Sequence, residues 1–226
     1  MNAIADNLQA VRARISRAAQ AARRDDEAVT LLAVSKTHQA SKISEAKAAG
    51  QRAFGENYVQ EAFEKMTAVS DLEWHLIGPL QSNKTRAVAE RFQWVQTLDR
   101  EKIAKRLSEQ RPAELPALNV LIQVNASGEK TKSGVALHET QALAKAVAAL
   151  PRLRLRGLMA IPEPGAPRER YAEVRALFDE LKSAFSFDTL SMGMSDDLEL
   201  AVAEGATMVR IGTAIFGARR REKSAA

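Results

Sequence analysis

The chain has 226 residues, of which 46% are hydrophobic and 27% charged, with a formal net charge of +5 and no cysteine. That length supports one large core or two small ones. Without a thiol the chain can build no disulfide framework, thiolate nucleophile or cysteine–zinc site, and the composition suits a reducing, cytoplasmic compartment.

No run approaches the ~20 apolar residues of a membrane span. The opening stretch MNAIADNLQAVRARI is amphipathic and lacks the continuous apolar centre of a secretory signal. The positive charge is compatible with nucleic acid or with phosphorylated small molecules. Apart from Arg23–Arg24 and the tail Arg219–Lys223 the charges are dispersed, and aromatics are only 5%, with no basic–aromatic interleaving. A solvated surface with an arginine excess is expected, not a nucleic-acid groove.

Ile4, Leu8, Val11 and Ile15 recur at helical spacing and predict a first helix ending near Arg24. A regular alternation follows. Strand-like segments are Val29–Ser35, Arg52–Gly55, Trp74–Gly78, Trp94–Leu98, Leu118–Asn125, Leu153–Ile161, Thr189–Met192 and Met208–Gly212. Between them lie helical segments Ser41–Ala49, Tyr58–Val69, Lys84–Arg91, Arg100–Gln110, His138–Leu150, Arg168–Phe185 and Asp196–Glu204, and Thr213–Ala218 closes the series. Eight β–α units in strict order imply parallel strands, and within ~250 residues they make a single (β/α)8 barrel of the TIM type. An open doubly wound sheet would carry a glycine-rich loop after its first strand; here Lys-Thr-His-Gln-Ala follows instead. The expected organisation is one domain over 1–226, with an extra N-terminal helix at 1–24 and the barrel at 29–218.

In a barrel the chemistry sits just past the carboxyl ends of the strands. Those positions hold Lys36, Glu56–Asn57, Gly78–Pro79, Asn125, Ala160, Gly193–Ser195 and Gly212–Thr213. One lysine, several glycines, amides and hydroxyls and few acids suit an anion and a carbonyl better than a divalent metal. The loops after the seventh and eighth strands, SMGMSDD and RIGTAIFG, are where barrels often bind phosphate. Taken singly, Ser195 is better explained as a helix cap and Gly212 as a turn; two such loops on adjacent strands bring phosphate binding level with that reading. Asp196 and Asp197 read as first-turn acids that point outward along the helix dipole. Arg210 lies inside the last strand and needs a partner: either a salt bridge across the barrel mouth or the ring nitrogen of a cofactor. Pyridoxal 5'-phosphate (PLP) sites combine a Schiff-base lysine, a phosphate cradle and a residue facing the pyridine nitrogen; Lys36, the two loops and Arg210 supply all three. An arginine there keeps its proton, leaves the pyridine unprotonated and makes it a poor electron sink.

At these residues the chain resembles the YggS/PROSC family of pyridoxal phosphate homeostasis proteins, relatives of the barrel domain of alanine racemase. The resemblance is carried by LLAVSKTH (31–38), FGENYVQE (54–61), WHLIGPLQSNK (74–84), SMGMSDDLELAV (191–202) and VRIGTAIFG (209–217). It implies Lys36 as the lysine that holds PLP as an aldimine, Arg210 on the pyridine nitrogen, Ser195, Gly212 and Thr213 on the phosphate, and Asn57 beside the ring; Ser191 and His75 are weaker candidates. It also implies a PLP-binding, vitamin B6 homeostasis function, with apo PLP-dependent enzymes as possible recipients.

A racemase of this type carries a second, β-rich domain whose tyrosine is the opposing base. This sequence closes at Ala226, so a barrel without that domain, and a monomer, is expected. Tyr171 reads as surface or helix packing. Tyr58, beside Asn57, reads as packing with some chance of approaching the site. The three histidines lack metal-ligand spacing. The loop GEKTKSG only superficially resembles a phosphate loop, and its Lys130 and Lys132 read as a solvated pair at the barrel mouth able to pass an anion. Two alternatives stay open: a PLP-dependent racemase or lyase with Lys36 as sole base, and a basic-surface nucleic-acid binder.

Overall fold

The computed structural model describes residues 3–127 and 133–218. The strands are β1 Thr30–Val34, β2 Ala53–Glu56, β3 Glu73–Leu76, β4 Trp94–Leu98, β5 Leu118–Asn125, β6 Val135–Ala136, β7 Leu153–Ala160, β8 Thr189–Ser191 and β9 Met208–Ile211. All pairings are parallel, in the order β4-β3-β2-β1-β9-β8-β7-β5, and β4 also pairs with β5. That last pairing closes eight strands into a TIM-type barrel. The two-residue β6 pairs with Val124 and Asn125, beyond the reach of β4 on the same strand.

The helices are α1 Ala3–Ala21, α2 Ala40–Ala48, α3 Val59–Ala68, α4 Thr85–Arg91, α5 Glu101–Gln110, α6 Thr140–Ala148, α7 Arg168–Phe185, α8 Leu198–Ala203 and α9 Thr213–Phe216. The predicted alternation is present throughout, with small shifts at the ends. The largest lies at α1, which ends at Ala21 rather than near Arg24, and α8 opens at Leu198 rather than Asp196.

Strand residues split by the two-residue period. Leu32, Val34, Ala53, Ile77 and Met208 pack together, as do Trp94, Leu121 and Met159. The much larger cluster containing Leu31, Ala33, Phe54 and Leu98 joins the strands to the helices. The barrel strands also carry buried His75, Gln96, Ser191 and Arg210.

The final βα unit is short: α9 has only four residues. Helix α1 compensates. It contacts α8, α9 and α2, so it fills the gap in the helical ring that a full eighth helix would occupy. Its Ile4, Leu8, Val11 and Ile15 are all buried, at about 1.5–3 kcal/mol for each such side chain. Asn7 donates to the Ile215 carbonyl, and Arg24 to the carbonyls of Val202 and Ala206. The N-terminal helix is thus an integral wall rather than an appendage.

Candidate functional site

The closing register brings the two ends of the chain's barrel together. β1 pairs with β9 through Leu32–Arg210 and Ala33–Ile211. Lys36, just past β1, and Gly212–Thr213, just past β9, therefore share one sector of the carboxyl rim. A cavity of about 280 Å³ opens there, and Lys36, Asn57, Ser195, Arg210, Gly212 and Thr213 all line it. Val34, His38, Ile77, Ile161, Met194 and Asp196 complete the lining. All six residues singled out in the sequence thus meet at one opening.

Lys36 sits in a turn whose backbone is held on both sides. Ser35 Oγ donates to Glu56 Oε1 at 2.6 Å. The Ser35 carbonyl accepts from Lys65 Nζ at 2.7 Å, and the Thr37 N–H donates to Glu61 Oε1 at 2.5 Å. Lys65 Nζ also donates to Glu56 Oε1 and Glu61 Oε1, each at 2.6 Å. Thr37 takes a left-handed φ of 67°, which a β-branched residue adopts only when its surroundings impose it. Burial pushes the Glu56 carboxyl above its usual range, against the opposing pull of the Lys65 ammonium and the Ser35 hydroxyl.

Asn57 follows β2, and its Oδ1 is buried with no hydrogen-bond partner. Its backbone is pressed against Gly78, where an added Cβ would stand 2.1 Å from the Asn57 carbonyl oxygen. Only glycine allows this approach.

The loop after β8 is tied down from three directions. Asp197 Oδ1 accepts from the Met194 N–H at 2.5 Å, and Oδ2 accepts from Tyr171 Oη at 2.5 Å. Arg14 of α1 donates to the Ser195 carbonyl at 2.9 Å and to both oxygens of Glu199. Gly193 has φ +96°, and a Cβ there would lie 2.5 Å from that of Ala201.

These contacts correct three expectations. Ser195 is not the helix cap; Asp197 holds that position, with its carboxylate turned back onto the loop and not outward. Of the two readings of Tyr171, helix packing holds: it is buried on α7, and its hydroxyl also buttresses the loop through Asp197. Burial, and then Asp197, push its phenol above the usual range. Tyr58 neither packs nor lines the cavity: it is 59% exposed. Asp196 is exposed at the cavity mouth. Lys130 and Lys132 lie outside the described residues.

After β9, Gly212 caps α9, so the N–H groups of Thr213 and Ala214 face no carbonyl of their own helix. Arg210 is 4% exposed. Its Nη1 donates to Ser191 Oγ and its Nη2 to the Ala160 carbonyl, both at 2.8 Å. Its partners are a hydroxyl and a carbonyl, so the salt bridge across the mouth is not formed. Burial pushes its pKa down to about 10, which leaves it cationic at neutral pH. His38 lies against Phe216, ring centroids 5.3 Å apart.

Sequence reasoning missed Lys65, Glu61, Gln96 and Arg14. Gln96 alone left a local signal, as an amide in the middle of the buried strand β4. Among the described residues no group of three metal-ligating side chains lies together.

A family model described as alanine racemase, N-terminal domain, matches residues 7–220. The pyridoxal phosphate homeostasis protein of Pseudomonas aeruginosa is 61% identical over 225 residues, spanning 97% of each chain. The protein of the same name from Escherichia coli is 60% identical over 233 residues, spanning 99% of this chain and all of that one. Among solved structures, PipY of Synechococcus elongatus with PLP bound superposes with a TM-score of 0.82 at 37% identity, over 95% of this chain and 100% of that one.

Proposed function

This chain belongs to the family of the alanine racemase N-terminal domain, among the pyridoxal phosphate homeostasis proteins, and from that premise we propose that it binds PLP through Lys36 and serves vitamin B6 homeostasis by holding the cofactor. The observation that carries this reading is the convergence of Lys36, Asn57, Ser195, Arg210, Gly212 and Thr213 on one cavity. The donor set fits the cofactor. Asn57 Oδ1 is a buried acceptor without a donor, suited to a ring hydroxyl. PLP supplies a reactive aldehyde, a phosphate and an electron-withdrawing pyridine ring.

The chain's own residues divide the work. Lys36 Nζ would make the reversible covalent attachment. Ser195 and the N–H groups that begin α9 would take the phosphate. Arg210 would donate to the pyridine nitrogen. Being cationic, it cannot pass a proton to that nitrogen at neutral pH, so the site gives weak support to a substrate carbanion. Neither tyrosine lines the cavity: Tyr58 is exposed, and the Tyr171 hydroxyl is committed to Asp197. This supports storage and release over two-base racemisation. Asp196 at the mouth, in a site otherwise cationic, favours turnover of the bound anion with solvent.

The whole of 1–226 forms one PLP-binding domain in this reading, monomeric and cytoplasmic, with apo PLP-dependent enzymes as recipients. Among the described residues no helix is long and apolar enough to cross a membrane.

The test is a visible absorption spectrum of the PLP-loaded protein, followed by borohydride reduction and peptide mass mapping. A yellow protein with its pyridoxyl adduct on Lys36, and a Lys36→Ala variant without the wild-type band, is the expected result. A colourless protein, or adducts scattered over surface lysines, overturns the reading. Amino-acid-dependent loss of the band with product formation would establish the enzyme alternative.

A further inference from the structure

Barrel interiors are ordinarily filled by branched apolar side chains, and a buried polar group costs free energy unless it is bonded. Among the polar side chains this barrel buries are His75 on β3, Gln96 on β4, Ser191 on β8 and Arg210 on β9. They are joined end to end. Arg210 Nη1 donates to Ser191 Oγ at 2.8 Å, and Ser191 Oγ donates to Gln96 Oε1 at 2.7 Å. Gln96 Nε2 lies 2.9 Å from His75 Nδ1, and His75 Nε2 lies 2.8 Å from Glu73 Oε1.

The donor inventory fixes the direction of every link. A guanidinium only donates, so the Ser191 hydroxyl spends its own hydrogen on Gln96. An ionised carboxylate only accepts, so His75 carries its hydrogen on Nε2 and accepts at Nδ1 from the Gln96 amide. Burial favours this neutral imidazole, outweighing the opposing effect of Glu73. The chain therefore runs one way, from a cation at the cofactor end of the barrel to the partly exposed carboxylate at the start of β3. Bonds aligned in this sense polarise one another. At the near end, Gln96 orients the Ser191 hydroxyl so that its lone pair faces Arg210. Among the described residues, the guanidinium's other hydrogen bond is to the Ala160 carbonyl.

We propose that Ser191, Gln96, His75 and Glu73 are positioning residues, a directed hydrogen-bond chain that aims the Arg210 guanidinium and sets how strongly it donates to the ring nitrogen of bound PLP. The proposal rests on the PLP-binding reading.

Two measurements test it. In the PLP-free protein at pH 7, long-range 15N–1H NMR of the imidazole is expected to report a neutral Nε2–H ring with a hydrogen-bonded Nδ1. That Nδ1 signal should move to its unbonded position in Gln96→Met. A wild-type ring protonated at Nδ1, or cationic, overturns the chain without reference to any cofactor. In the loaded protein, Gln96→Met is expected to shift the visible band and to speed PLP release about three- to tenfold, the loss of one net hydrogen bond. Glu73→Gln, at the far end, is expected to speed release about twofold in the wild-type background and not at all in Gln96→Met. A purely structural role for Glu73 would move stability and leave release unchanged. Ser191→Ala gives the same comparison should Gln96→Met not fold. A wild type that takes up no PLP overturns both readings. A loaded wild type whose band and release rate survive Gln96→Met unchanged overturns this one alone.

Discussion

Lys65 is 4% exposed and its three N–H groups meet three acceptors: the Ser35 carbonyl, Glu56 Oε1 and Glu61 Oε1. Lys65→Met keeps most of the apolar stem and removes the ammonium, with its charge and its three donors. Glu56, fully buried and with its Oε2 already unpartnered, then loses its counter-ion. Deleting one partner of a buried pair costs about 3–5 kcal/mol. For a chain of this size each kcal/mol moves Tm by about 2–4 °C, so a fall of roughly 6–20 °C at pH 7 is expected.

The sign with pH follows from Glu56. Its folded-state pKa is already raised by burial, and Lys65 opposes that rise. Without Lys65 it climbs further above the unfolded value. The folded variant then keeps a proton that the unfolded chain releases, so stability is greatest at acid pH and is lost as pH rises through the folded pKa. Thermal melts between pH 4.5 and 8 should show the gap from wild type widening with pH. Lys65→Met/Glu56→Gln should recover most of the loss, because a neutral amide costs far less to bury than a carboxylate. A single variant melting within about 2 °C of wild type at pH 7, or a gap that is flat with pH, would refute the idea that a desolvated ion pair holds the backbone around Lys36.

Tyr171→Phe deletes the hydroxyl on Asp197 and should cost about 1.5–3 kcal/mol by chemical denaturation. It should also weaken PLP retention, since Asp197 holds the Met194 N–H; unchanged retention would detach Tyr171 from the loop. The strained φ and the clash with Ala201 predict that Gly193→Ala costs about 1–3 kcal/mol. PLP dissociation measured by competition should be faster in that variant, and an unaltered rate would mean the loop does not carry the phosphate.

The alternation of strands and helices was legible because it is local: a two-residue period, a 3.6-residue period and the breakers between them lie within a dozen residues of each other. The six cavity residues were legible for a related reason. Each lies at or just beyond the carboxyl end of a strand, and the barrel topology sends all such ends to one rim. Residues that act through partners far along the chain left little trace. Lys65 and Glu61 looked like any solvated i, i+4 pair, and only the seating of α3 on β1 and β2 buries the lysine against Glu56. Tyr171 meets Asp197 across 26 positions and Arg14 meets Ser195 across 181. Gln96 stood out as polar in β4, but its partners are 21 positions back and 95 ahead. Local patterning therefore determined the class of fold and the rim on which chemistry occurs. Barrel closure, by pairing β1 with β9 and β4 with β5, decided which charges are dry and which donor faces which acceptor, because those depend on register between strands that no local period encodes.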